Sequence, residues 1–191
     1  MKISGGQFRG RALIEPRDGR VRPTSDKVRQ AIFNILAHND FGTGFVLEGA
    51  KVIDIFAGTG ALGIEALSRG ASFCLFVDDN ADSRALIRRN IEALNLTGAS
   101  KIWRRDGTAL GPLTAGAGGP FDLAFLDAPY RQDLTQRALA CLAQGGWLAR
   151  NVLIVAETAA DELLTASPDF KCVDRRTYGE TSVHTFGISP T

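Results

Sequence analysis

Residues 51–63 read KVIDIFAGTGALG, an apolar run of strand length followed by glycines at 58, 60 and 63. No other stretch constrains the chain so tightly. A G-x-G-x-x-G turn with a strand before it and a helix after it belongs to a βαβ unit, in which the second strand must run parallel to the first. The helix reads GALGIEALSRG and closes at Gly70, and the next apolar run, SFCLFVD, ends on Asp78, 20 positions after Gly58. Gly58 and Gly60 let backbone come close to a ligand.

The same alternation continues downstream. NADSRALIRRNIEALNL has helical spacing, with Ala85, Ile87, Ile91 and Leu94 among its apolar positions. SKIWRRD reads as a third strand, FDLAFLD as a fourth, LTQRALACLAQ as a helix, and VLIVAE as a fifth strand followed by a short helix near Asp161–Ala166. KCVDRRTYG and TSVHTFGI pair as a hairpin through Gly179 and Glu180. Residues 107–120 are rich in Gly and Pro and read as loop. Upstream, Val28, Ile32, Ile35 and Leu36 mark a helix opened by Thr24 and Ser25. Residues 1–23 form an arm with short β pieces at Lys2–Ser4 and Ala12–Ile14. The expectation is an α/β fold, a mostly parallel sheet covered on both faces, with residues 1–23 as a basic hairpin or arm and 24–191 as the main domain.

Asp54 narrows the ligand. A carboxylate just before the glycine turn would sit against the pyrophosphate of a dinucleotide, and like charges there are costly. A ligand with an ammonium turns Asp54 into a partner. S-adenosylmethionine carries that ammonium beside an adenosine and a positive sulfonium. Asp78 then accepts from both ribose hydroxyls, because an ionised carboxylate offers acceptors alone. Asp106, in RRDGTAL, can accept from the adenine amino group, although a solvated turn explains it equally well. Asp54, Asp78, Asp106 and Asp127 are all expected at carboxyl ends of strands, where open α/β sheets form their ligand crevice.

Asp127 opens DAPY. An exocyclic amine on a base needs acceptors for its N–H groups while its lone pair faces a methyl donor. The Asp127 carboxylate and the Ala128 carbonyl supply two, Pro129 stiffens the turn, and Tyr130 offers a ring for stacking. The two histidines stand apart from the three scattered cysteines, so no metal is expected. No apolar run reaches membrane-spanning length, and the first residues lack the apolar core of a signal peptide, so a cytoplasmic address is expected.

The net charge of +1 hides an asymmetry: residues 1–30 carry eight basic and three acidic side chains, while the remainder is net acidic. Arg9, Arg11, Arg22 and Arg29 lie in that segment. They suggest a polyanion partner.

DAPY resembles the (D/N/S)-P-P-(Y/F/W) motif of amino methyltransferases acting on nucleic-acid bases. Together with VIDIFAGTGALGIEALSRGA, GGQFRGR and RPTSDKVRQAIFNIL, nearly the whole chain is similar to the RsmD family. The resemblance implies a class I methyltransferase, a Rossmann-like seven-stranded sheet with an antiparallel C-terminal strand and a small N-terminal β-hairpin. It implies methylation of the 2-amino group of a guanine in 16S rRNA, within an assembling 30S subunit, by a monomer using S-adenosylmethionine. It places Asp54, Gly58, Gly60, Asp78 and Asp106 on cofactor positions and Asp127, Ala128, Pro129 and Tyr130 on the catalytic motif. Ala128 departs from the family, which has a proline there. The rival readings are an adenine-N6 methyltransferase on DNA or RNA, a nucleotide-binding or NAD-dependent protein, and a non-catalytic RNA-binding protein.

Overall fold

Five runs become parallel strands because each is joined to the next by a crossover. The computed structural model describes residues 1–16, 25–165 and 168–188. The parallel strands are β1 (Lys51–Ile55), β2 (Phe73–Val77), β3 (Ser100–Trp103), β4 (Phe121–Leu126) and β5 (Leu148–Ala159). Two more, β6 (Phe170–Tyr178) and β7 (Thr181–Ile188), complete a seven-stranded sheet in the order β3-β2-β1-β4-β5-β7-β6. β1, β2 and β4 are buried on both faces, whereas β3 lies at the sheet edge. β7 is antiparallel to both neighbours. The expected hairpin forms: Tyr178 faces Thr181 across Gly179 and Glu180, with Gly179 at φ 62°.

Alternation along the strands sorts the core into two layers. Val52, Cys74, Phe76, Leu123 and Phe125 pack against helices α1 (Asp26–His38), α2 (Ala61–Ser68) and α3 (Ala81–Ala93). Ile53, Ile55, Leu75, Val77, Ala124 and Leu126 face helix α4 (Leu134–Gln144), Trp147, and Leu110 and Ala117 of the 107–120 loop. Every residue of α2 is buried. A fully buried aliphatic side chain contributes about 1.5–3 kcal/mol. Packing therefore holds α2, which has a central glycine and no capping side chain of its own. Ala85 of α3 is exposed, whereas Ile87, Ile91 and Leu94 are buried as their spacing predicts.

The N-terminal segment is docked, with one antiparallel bridge, Lys2 to Ala12, closing a small loop. Ile3 and Leu13 are buried in the same core layer as α2. The Ser4 N–H and hydroxyl donate to the Glu65 carboxylate at 2.8 and 2.7 Å, and the Phe8 N–H donates to Ser68 Oγ at 3.0 Å. Buried Asn90 of α3 accepts from the Ile14 N–H at 2.7 Å and donates to the Ile14 and Thr59 carbonyls at 3.2 and 3.1 Å.

Two expectations need correction. Arg29 is fully buried, so it is not positioned to meet phosphate. Its guanidinium donates to the Lys2 carbonyl and to Asp26, at 2.9 Å to the latter, and lies 3.5 Å from Glu65 Oε2. It lies on the apolar face of α1 with Ile32, Phe33 and Leu36, and fastens the N-terminal segment to α1 and α2. The helix expected near Asp161–Ala166 is absent over residues 161–165; Ala166 and Arg22 lie outside the described residues. Glu162 instead turns back, its carboxylate accepting from the Ala159 N–H at 3.3 Å, and so few residues cannot offset the cost of starting a helix. Among the described residues, no helix is long and apolar enough to cross a membrane, and no group of three or more His, Cys, Asp or Glu could hold a metal ion.

Glu65 is almost wholly buried and also receives Arg69 Nε at 2.8 Å. Glu65→Ala would leave Arg29 buried beside no carboxylate but Asp26. The expected loss is about 3–5 kcal/mol, the scale for removing one partner of a buried ion pair, read by urea denaturation. A loss below about 1 kcal/mol, the range of exposed pairs, would show that Glu65 does not hold the segment in place.

Candidate active site

The chain leaves β1 through Phe56, whose φ of 60° is rare outside glycine. This sharp turn has room because Gly107 lies beneath it: a Cβ there would stand 2.4 Å from Ile55 Cγ2 and 3.1 Å from the Phe56 ring. Gly58 and Gly60 follow at φ 57° and 79°, and Gly60 becomes the N-cap of α2. Gly60 cannot cap with a side chain, so the third N–H of α2, that of Gly63, needs another acceptor. Asp54 supplies it. Its Oδ2 accepts from Gly63 at 2.9 Å, reaching across from the next-to-last residue of β1.

Asp78 follows β2 directly. Its Oδ2 accepts from the Gly58 N–H and its Oδ1 from the Asn80 N–H, each at 2.9 Å. The acid 20 positions beyond the turn thus braces that turn, and each oxygen keeps a lone pair for a further donor. Asn80 in turn caps α3, accepting from Asp82 and Ser83. Asp127 follows β4 directly, and Ala128 behind it is buried.

These three carboxylates share one electrostatic neighbourhood. Burial pushes the Asp54 carboxyl well above the usual carboxylate range; the Gly63 N–H opposes this, and the charges of Asp127 and Asp78 add to it. Burial also raises Asp78, against the pull of the Gly58 and Asn80 amides. Buried acids this close together favour a cation beside them, which would ease the ionisation of Asp54 and Asp78. The donor set therefore fits a ligand bearing an ammonium and a sulfonium.

Asp106 stands apart. It lies three residues beyond β3, exposed, and not at the strand end. Its Oδ1 accepts from the Thr108 N–H at 2.8 Å and the Thr108 hydroxyl at 2.7 Å, which hold its carboxyl below the usual range. Tyr130 is half-buried, and its hydroxyl donates to Glu157 Oε1 and lies 3.0 Å from Thr181 Oγ1. Glu157 and Thr181 were not anticipated from sequence, because strand pairing brings them to Tyr130. Neither was Asn90, which ties the glycine turn to the N-terminal segment. Arg9 and Arg11 are exposed, and Arg11 Nη2 reaches the Ala93 carbonyl at the end of α3 at 3.4 Å. A cleft of 720 Å³ opens elsewhere, between the end of α1 and residues 39–47, and none of the four acids lines it.

Residues 1–187 match the family model described as conserved hypothetical protein 95. The chain is 37% identical over 169 residues to ribosomal RNA small subunit methyltransferase D of Escherichia coli K12, covering 88% of this chain and 79% of that one. It is 30% identical over 183 residues to the Haemophilus influenzae protein of the same name, covering 95% and 91%. The fold superposes on that of the Escherichia coli protein yhhF, provisionally named a methyltransferase, with a TM-score of 0.83 and 27% identity over 100% of this chain and 99% of that one.

Gly63, in the first turn of α2, has no room for a side chain. A Cβ there would stand 2.4 Å from the Phe76 ring and 2.5 Å from Cys74 Sγ. Gly63→Ala should lower stability by about 1–3 kcal/mol through overpacking, read by thermal or urea denaturation. An unchanged midpoint would mean that α2 can move off the sheet freely.

Proposed function

The chain belongs to the RsmD family, the ribosomal RNA small subunit methyltransferase D enzymes, and we propose that it methylates the exocyclic 2-amino group of a guanine in 16S rRNA. It is an S-adenosylmethionine-dependent methyltransferase of class I. The observation that carries the proposal is the cluster of Asp54, Asp78 and Asp127 around the glycine turn, with Ala128, Pro129 and Tyr130 following β4.

S-adenosylmethionine supplies an electrophilic methyl group on a positively charged sulfur. Asp54 meets the ammonium of that donor with the oxygen not used by Gly63. Asp78 accepts from the ribose hydroxyls while holding the Gly58 amide, and Gly58 and Gly60 leave the backbone bare beside the ligand. Asp106 lies beyond β3 for the adenine amino group, once it yields or shares its contact with Thr108. Asp127 and the Ala128 carbonyl accept the two N–H groups of the target amine, so that the nitrogen lone pair is turned toward the methyl group. Pro129 limits the backbone, and Tyr130 presents its ring to the base. Positioning and exclusion of water then supply most of the acceleration. A dinucleotide suits this site less well, since its pyrophosphate would meet the acids at the ends of β1 and β2.

A pocket for one base cannot anchor a large RNA; phosphate contacts do that. Residues 1–23 serve as the anchor on a catalytic domain of 24–191, with Arg9 and Arg11 on its exposed side. In this reading the enzyme acts in the cytoplasm as a monomer, on rRNA within an assembling 30S particle.

Three experiments test this function. Asp127→Ala should abolish methyl transfer to 16S rRNA in a single-turnover assay and leave cofactor affinity intact. Asp78→Ala should weaken S-adenosylmethionine binding by about 1.5–3 kcal/mol, read by calorimetry. Retained turnover in the first, or full affinity in the second, removes that residue from the site. Replacing Arg9 and Arg11 together with Ala should weaken RNA binding and flatten its dependence on log salt by roughly 0.7–0.9 per lost contact, with cofactor affinity unchanged. An unchanged slope would place the RNA anchor elsewhere.

A further inference from the structure

The loop that carries the catalytic motif is held from outside. The Tyr130 hydroxyl donates to Glu157 Oε1 and lies 3.0 Å from Thr181 Oγ1. Glu157 and Thr181 are 6% and 7% exposed. They sit on different strands, β5 and β7, whose register is fixed by the pairs Glu157 to Val183 and Ala159 to Thr181. The Arg131 N–H donates to Glu162 Oε2 at 3.3 Å, and its guanidinium reaches Asp161 at 3.0 Å. Two successive residues are therefore tied to the end of β5 and the start of β7. Arg131 and Asp133 hold φ of 60° and 56°, values that non-glycine residues keep when their surroundings over-determine them.

Within the loop, stiffness is reduced. Ala128 stands where the family motif has a proline, so one φ that a ring would lock is free to vary. That motif accepts phenylalanine at the position of Tyr130, so the hydroxyl takes no direct part in the methyl transfer and can act here only by holding the ring. Burial and the bond to Glu157 also raise the Tyr130 phenol above its ordinary range, in keeping with its donating to Glu157.

We propose that Glu157 and Thr181 are positioning residues for methyl transfer: they clamp the Tyr130 hydroxyl, fix the ring that packs on the target base, and restore from the sheet the rigidity that Ala128 withdraws from the loop. The proposal rests on Asp127–Tyr130 being the base pocket. Rigid strands suit this task, since a displacement of about 1 Å at a reacting group can cost a hundredfold in rate.

The test compares Tyr130→Phe, Glu157→Ala, their double variant and Glu157→Gln. Single-turnover methyl transfer to 16S rRNA, free and in 30S particles, is measured beside cofactor affinity, RNA affinity and thermal midpoint. Amide hydrogen exchange of residues 127–133 is followed in the protein without cofactor. Tyr130→Phe and Glu157→Ala should each slow transfer roughly ten- to hundredfold, with both affinities unchanged. The double variant should be no slower than the slower single one, because both remove one contact. Glu157→Gln, whose amide oxygen still accepts, should recover most of the rate. Exchange in the loop should rise in both single variants. Wild-type rates in both, losses that multiply in the double variant, or unchanged exchange overturns the clamp. If the wild type itself transfers no methyl group to rRNA, the base-pocket reading fails and the clamp falls with it, an outcome visible before any variant is compared.

Discussion

The bond from the Gly63 N–H to Asp54 Oδ2, at 2.9 Å inside the core, decides how the rest of the site can be built. α2 begins at a glycine so that the chain can turn, and a glycine leaves the helix uncapped. The missing acceptor comes from the strand before the turn. This places a carboxylate where helix N-terminus and sheet meet, and burial there would discourage its charge. Two amides and two further acids then become interdependent: Gly63 with Asp54, Gly58 with Asp78, and Asp127 beside them. The turn is therefore shaped and charged by one set of contacts.

A second set couples the turn to the N-terminal segment. Asn90 bonds to Thr59 in the glycine turn and to Ile14 beyond the small hairpin. Glu65, on the helix that starts at the turn, gathers Ser4, Arg69 and Arg29. The segment carrying Arg9 and Arg11 is thus fixed relative to the glycine turn by buried polar contacts.

How much of this was legible in the sequence depended on range. The glycine turn, the parallel strands and the β6–β7 hairpin are local patterns, and each appears where its residues predict. The place of Asp78, directly after β2 and beside the Gly58 amide, was legible as well, since its distance from Gly58 is a property of one βαβ unit. Arg29 was misread because it lies in an Arg-rich segment, yet its helical spacing to Ile32, Phe33 and Leu36 marks the apolar face. Asp106 followed its neighbours: Asp-Gly-Thr is a turn, and Thr108 draws the carboxylate into it. Glu65 meets Ser4 across 61 positions, and Thr181 meets Tyr130 across 51. Nothing in local spacing encodes either contact, because sheet order and helix docking create them.

The placement of β7 has a further consequence for synthesis. β6 is made before β7 but lies outside it, at the edge of the sheet, while β7 pairs with both β5 and β6. A nascent chain that has reached only β6 has no strand to bridge the gap to β5, and it lacks Thr181. The contacts around Tyr130 are completed only by β7, which is made after the six other strands. Translation order therefore delays the second of the two contacts to the Tyr130 hydroxyl until the hairpin is out and docked.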